Sequence, residues 1–97
     1  MSNDCTVIHN AAASRFECSV DDTLCVCEYR LHDGVMNFTS TRVPPEMGGR
    51  GIAAALVAAA LKWARAQGLR VNPLCSYVAT YLRRYADTQD LLVAPLA

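Results

Sequence analysis

Gly48-Gly49-Arg50-Gly51-Ile52-Ala53 is the stretch that decides the fold, because it turns an extended run into a long helix. Before it, Thr39 to Val43 is β-branched and strand-like, and Pro44-Pro45 stops the strand. After it, an alanine-rich helical pattern runs from about Gly51 to Gln67. The first amides of a helix have no intrahelical acceptor, and the aligned peptide dipoles make that end positive. Glycines there allow a ligand to approach the backbone closely. An anion site results, and a phosphate is the usual occupant; the plainer alternative is a glycine turn before an ordinary helix.

Working outward, the preceding half reads as strands. Arg15 to Val20 alternates Phe16, Cys18 and Val20 inward with Arg15, Glu17 and Ser19 outward. Asp21-Asp22 makes a turn, and Leu24 to Leu31 continues with Cys25, Cys27, Tyr29 and Leu31 on one face. Asp33-Gly34 is a hairpin turn before Val35 to Val43. Thr6-Val7-Ile8 is a further short strand candidate. Downstream, Ile52, Leu56, Ala60 and Trp63 recur at helical spacing, and Gly68 stands where a left-handed cap belongs. Leu69 to Leu74 makes a short strand broken by Pro73. Ser76 is the expected N-cap of a second helix whose inward stripe is Val78, Leu82 and Tyr85. The order is ββββαβα: an α+β (α/β) chain with a mostly antiparallel sheet of about five strands flanked by two helices.

The chain has 97 residues, which suits one domain spanning residues 1–97, and 53% of them are hydrophobic, enough for a sizeable core. Net charge is zero and Lys62 is the only lysine among nine basic residues, so the basic stripe of a nucleic-acid or membrane-surface binder is missing. No apolar run reaches a membrane span of roughly 18 residues, and Met1-Ser2-Asn3-Asp4 does not resemble a signal peptide. The expectation is a cytoplasmic protein, monomeric or weakly dimeric. Its five cysteines, Cys5, Cys18, Cys25, Cys27 and Cys75, are then expected as reduced thiols. Cys25-Val26-Cys27 has no partner pair, and His9 and His32 sit at no recognised ligand spacing, so no metal site is expected.

Three phosphate-binding explanations compete. A Walker loop needs Gly-Lys-Ser/Thr, which is absent. Gly49-x-Gly51-x-x-Ala54 matches the glycine spacing of a dinucleotide fingerprint, but the acid expected about 20 residues later is replaced by Arg70, Val71 and Asn72. The third fits order and spacing together. An antiparallel meander, a Gly-x-Gly-x-Ala turn, a long helix, a short strand and a second helix resemble the GNAT acetyltransferases, and more specifically their very small, single-domain family. The shared residues are Val43-Pro44-Pro45, Gly49-Arg50-Gly51-Ile52-Ala53, Leu56-Val57, Tyr81-Leu82, Asp90-Leu91 and, most specific, Pro73-Leu74-Cys75-Ser76-Tyr77-Val78. The similarity covers roughly residues 24–92.

The resemblance implies a truncated GNAT fold that binds acetyl-CoA and transfers its acetyl group to an amine. Cofactor contacts would come from Val43, Gly48, Gly49, Arg50, Gly51, Ile52, Ala53, Asn72, Cys75, Ser76 and Tyr81. Cys75 and Tyr77 would be catalytic: Cys75 as transient acetyl acceptor or proton donor to the departing thiolate, Tyr77 as general acid. Packing is the alternative for both. Arg50 would add a charge-assisted contact to the pyrophosphate. Ser40 and Thr41 are expected to line the acceptor cleft, and Arg83 and Arg84 to form a solvated helix face. The chain departs from the family pattern in four places: Gly48 for Arg or Gln, Ser40 for His, Arg42 for an acid, and Tyr85-Ala86-Asp87 for His-Pro-Glu. Coenzyme binding is thus better kept than acid–base chemistry, and a non-catalytic coenzyme-A-binding module is the rival expectation.

Overall fold

The computed structural model describes residues 6–48 and 51–96. One five-stranded sheet carries the fold: β1 (Ile8–Asn10), β2 (Arg15–Val20), β3 (Thr23–His32), β4 (Val35–Arg42) and β5 (Arg70–Pro73), adjacent in that order. The first four are antiparallel, and β5 joins β4 in parallel. A parallel neighbour needs a crossover, which α1 (Ile52–Ala66) provides; α2 (Ser76–Arg84) follows β5. The two tight hairpins arise where expected. Asp21 and Asp22 both have positive φ, as do Asp33 and Gly34. That is the primed-turn geometry that matches strand twist, and Asp and Gly adopt it at least cost.

Alternation puts Phe16, Cys18, Val20, Cys25, Cys27, Tyr29, Met36, Phe38 and Val71 on one sheet face, all buried. On that face they form the core with Ile52, Leu56, Val57, Ala60, Leu61 and Ala64 of α1 and Val78 and Leu82 of α2. Alanines at 60 and 64 let α1 lie close to the sheet, and Trp63 packs edge-on to His9 and Phe16. The opposite face is mostly polar around the buried Val26: Arg15 pairs with Glu17, Arg42 with Glu28, and Asn72 donates to Asn37.

Several expectations need correction. β1 starts at Ile8 rather than Thr6. Leu31 is 52% exposed, because β3 overruns β2, whose pairing ends at Arg15 opposite Glu28. Tyr85 leaves the inward stripe: α2 ends at Arg84, and the Tyr85 ring turns outward to meet Tyr81 at 4.5 Å. Cys75, not Ser76, is the N-cap of α2, and its side chain makes no capping bond. Cys18 is disulfide-bonded, whereas Cys25, Cys27 and Cys75 are free. The expectation of reduced thiols rested on count and compartment, and neither carries any geometry.

Candidate active site

The site lies where β4 and β5 part company. Their last paired residues are Phe38 and Pro73, after which β4 continues to Arg42 while the other chain turns into α2. The Cys75 amide donates to the Phe38 carbonyl at 2.8 Å, closing the base of the split. Its carbonyl accepts from Ala79 at 3.1 Å and so starts the helix.

A β-bulge in β4 shapes the far wall. Glu28 pairs with Ser40 and Tyr29 with Phe38, so Thr39 is the extra residue. A bulge shifts side-chain parity by one. Strict alternation from Met36 and Phe38 would turn Ser40 inward; instead Thr41 points inward and Ser40 outward. Thr41 Oγ1 then lies 3.5 Å from Cys75 Sγ and 3.8 Å from Cys27 Sγ. Ser40 donates to Glu28 Oε1 at 2.6 Å on the opposite face. The expected Ser40–Thr41 cleft is therefore divided between the two sides of the sheet.

Beside the split, Gly51 caps α1 with φ +75°, a conformation that favours glycine. The Ala55 amide donates to the Gly51 carbonyl at 3.0 Å. The amides of Ile52, Ala53 and Ala54 precede it and are the terminal donors of the helix. They open on a cavity of about 380 Å³ lined by Val43, Pro44, Gly48, Gly51, Ile52, Ala53 and Tyr77, among others. Gly49 and Arg50 lie outside the described residues. Gly48 is close-fitting: a Cβ there would meet the Pro45 carbonyl at 3.1 Å.

Tyr77 also lines a neighbouring cavity of about 120 Å³ with Tyr81 and Arg84. Partial burial raises the pKa of both phenols above the ordinary tyrosine value, so each is a proton donor at neutral pH. The Cys27 thiol is pushed up to about 11 by burial, opposed in part by the Thr41 hydroxyl, which keeps it protonated and unreactive. Glu28 is held below the usual carboxylate range by its bond from Ser40 and by Arg42.

Of the expected site residues, Val43, Gly48, Gly51, Ile52, Ala53 and Tyr77 meet around one cavity, with Tyr81 in the next. Cys75 stands at the strand split. Ser76 is exposed at the start of α2, and Asn72 is tied to Asn37 at 2.9 Å on the polar face; neither is brought to the cavity. The bulge at Thr39 and the Thr41–Cys75 contact were missed, since Thr39-Ser40-Thr41 has no apolar alternation to betray a change of parity. No group of three or more potential metal ligands occurs among the described residues.

A bulged strand thus diverges from its parallel neighbour beside a glycine-capped helix whose first residues line a cavity. The family model for GCN5-related N-acetyl-transferase matches residues 15–91, and the chain belongs to that family. Acetyl-CoA-dependent acetyl transfer is its general activity. Among solved structures, the chain is similar to the NMR solution structure of a GCN5-like protein from Staphylococcus aureus. Identity is 26%, the match covers 99% of this chain and 94% of that one, and the TM-score is 0.76. None of the curated proteins matches.

Proposed function

We propose that the protein is an N-acetyltransferase that passes the acetyl group of acetyl-CoA to an amine of a protein, a peptide or a small polyamine within a ternary complex. The single observation that carries this reading is the cavity that brings the glycine-capped start of α1, Gly51 to Ala54, together with Tyr77 of α2, whose N-cap is Cys75. When bound, acetyl-CoA supplies an activated thioester. The terminal amides of α1 would hold its pyrophosphate and the Gly51 turn would allow close approach. Tyr77, protonated at neutral pH, would supply a proton to the departing sulfur, and the Cys75 thiol stands two residues before it. Thr41 positions the Cys75 thiol. We place the protein in the cytoplasm, as a monomer or weak dimer.

One observation favours the rival, a coenzyme-A-binding module: Ser40, standing where the family carries His, is bonded to Glu28 on the far side of the sheet. Acetyl-CoA titration combined with thiol release on offering mixed amines separates the two. Amine-dependent thiol release supports the transferase. Tight binding without thiol release over a broad acceptor panel supports the module.

A further inference from the structure

The cavity at the start of α1 has a smaller neighbour. The two share Ala54 of α1 and Tyr77 of α2, and the lining of the smaller is completed by Thr80, Tyr81, Arg84 and Tyr85. They therefore adjoin along the seam between the helices. At about 120 Å³ the annex is well below the roughly 300–1,000 Å³ of a pocket that encloses a whole small molecule. It suits one flat ring of a ligand held mainly elsewhere.

Its side chains decide which ring. Tyr77 and Tyr81 stand one turn apart on α2, and Arg84 follows one turn further on. The Tyr85 ring lies 4.5 Å from that of Tyr81, and the Arg84 guanidinium carbon sits 5.7 Å over the Tyr85 ring. Tyr77 and Tyr85 are 38% and 40% exposed, so aromatic surface remains uncovered at both ends of the stripe. Such surface stacks on the π-face of any nucleobase. Among the described residues no ion pair engages Arg84. Its charge is felt by Tyr77, while the acid felt by the stripe is Asp87, which acts on Tyr81. Arg83 and Arg84 both stand in the last turn of α2, where a cation suits the helix dipole. Only Arg84 also lines the annex.

In coenzyme A one ribose joins the diphosphate to the purine, and its 3′ oxygen carries a phosphomonoester with roughly two negative charges at neutral pH. With the diphosphate at the first amides of α1, the purine is the nearest flat ring of the cofactor. The 3′-phosphate is its nearest further anion. We infer that the annex takes the adenosine end of the cofactor, with the tyrosine rings against the purine and Arg84 on the 3′-phosphate, so that the protein selects coenzyme A thioesters over their 3′-dephospho forms. The inference rests on the acetyl-CoA reading and adds what determines the choice of cofactor.

The test is calorimetric titration of the purified full chain with acetyl-CoA and with 3′-dephospho-acetyl-CoA. At low salt acetyl-CoA should bind about tenfold or more tightly than the dephospho form, as a charge-assisted contact implies. The gap should narrow at about 1 M salt, where the Debye length is about 3 Å. Arg84→Gln should bring acetyl-CoA to the affinity of the dephospho form and leave the latter unchanged. Arg83→Gln removes the same charge from a residue outside the annex and should keep the gap. Tyr85→Leu should weaken both forms by about fivefold or more, as loss of a stacking surface implies. The proposal is overturned, with the acetyl-CoA reading intact, if the wild-type protein binds both forms equally, if the gap survives Arg84→Gln, if Arg83→Gln closes it as far, or if Tyr85→Leu binds both forms as the wild type does. Failure of the wild-type protein to bind either form overturns both.

Discussion

Gly51→Ala tests the helix cap from which the site is built. Gly51 has φ +75°, and a Cβ placed on it meets nothing within 4 Å. Any cost is therefore backbone strain and not a clash. A left-handed conformation costs an alanine about 1–2 kcal/mol, while removing a glycine stabilises by about 0.4–1 kcal/mol through the unfolded chain. The balance is a loss of about 1 kcal/mol, which for a chain of this length lowers Tm by about 4–8 °C. Asparagine tolerates this backbone, so Gly51→Asn should recover most of the loss. The assay is thermal unfolding by circular dichroism of the three proteins, with acetyl-CoA affinity by calorimetry. If alanine relaxes the cap to a negative φ, the terminal amides re-aim and affinity falls beyond the stability effect. A Gly51→Ala protein with unchanged Tm and unchanged affinity would refute the reasoning.

Further predictions concern the thiols, the phenol, the polar face and the core. At pH 8, iodoacetamide should modify Cys75 well before Cys25 and Cys27, which are buried with raised pKa values; peptide mapping that finds Cys27 labelled first contradicts the site. Tyr77→Phe should lower kcat by about a hundredfold with little change in acetyl-CoA affinity, if the phenol donates a proton in the rate-limiting step; an unaltered kcat reduces Tyr77 to packing. Glu28 has a depressed pKa, so its contribution to stability is present above its unfolded value near about 4.3 and is lost as pH falls through the lower folded value. Ser40→Ala should therefore lower Tm at pH 7 and cost nothing once the pH is below the folded value; an equal deficit at both pH values counts against the charge-assisted bond. Leu82→Ala, deep under α2, should destabilise by about 2–5 kcal/mol and loosen the Cys75 end of the site, as urea unfolding would show.

The elements that sequence alone locates are those in which periodicity and turn chemistry agree. β2 was legible to the residue because Phe16, Cys18 and Val20 alternate with polar neighbours and Asp21-Asp22 ends the strand. α1 was legible because Leu56, Ala60 and Ala64 repeat at helical spacing between a glycine and Gly68. The meeting of Gly48 and Gly51 to Ala53 around one cavity follows from the strand-to-helix turn that the glycines mark in the sequence. The site was hidden where a side chain's direction depends on one inserted residue. Nothing in Thr39-Ser40-Thr41 declares which hydroxyl faces Cys75; only pairing with β3 fixes that, and it sends Ser40 to Glu28. Asn72 is likewise placed by register alone, opposite Asn37, to which it donates on the polar face.

Amide chemical-shift mapping during an acetyl-CoA titration is the most direct measurement. The largest shifts are expected at Gly51 to Ala54, with a second group at Tyr77 and at Thr41 and Cys75, and quiet amides along β1 and β2. Saturating shifts confined elsewhere, or none at the start of α1, would contradict the proposed cofactor site.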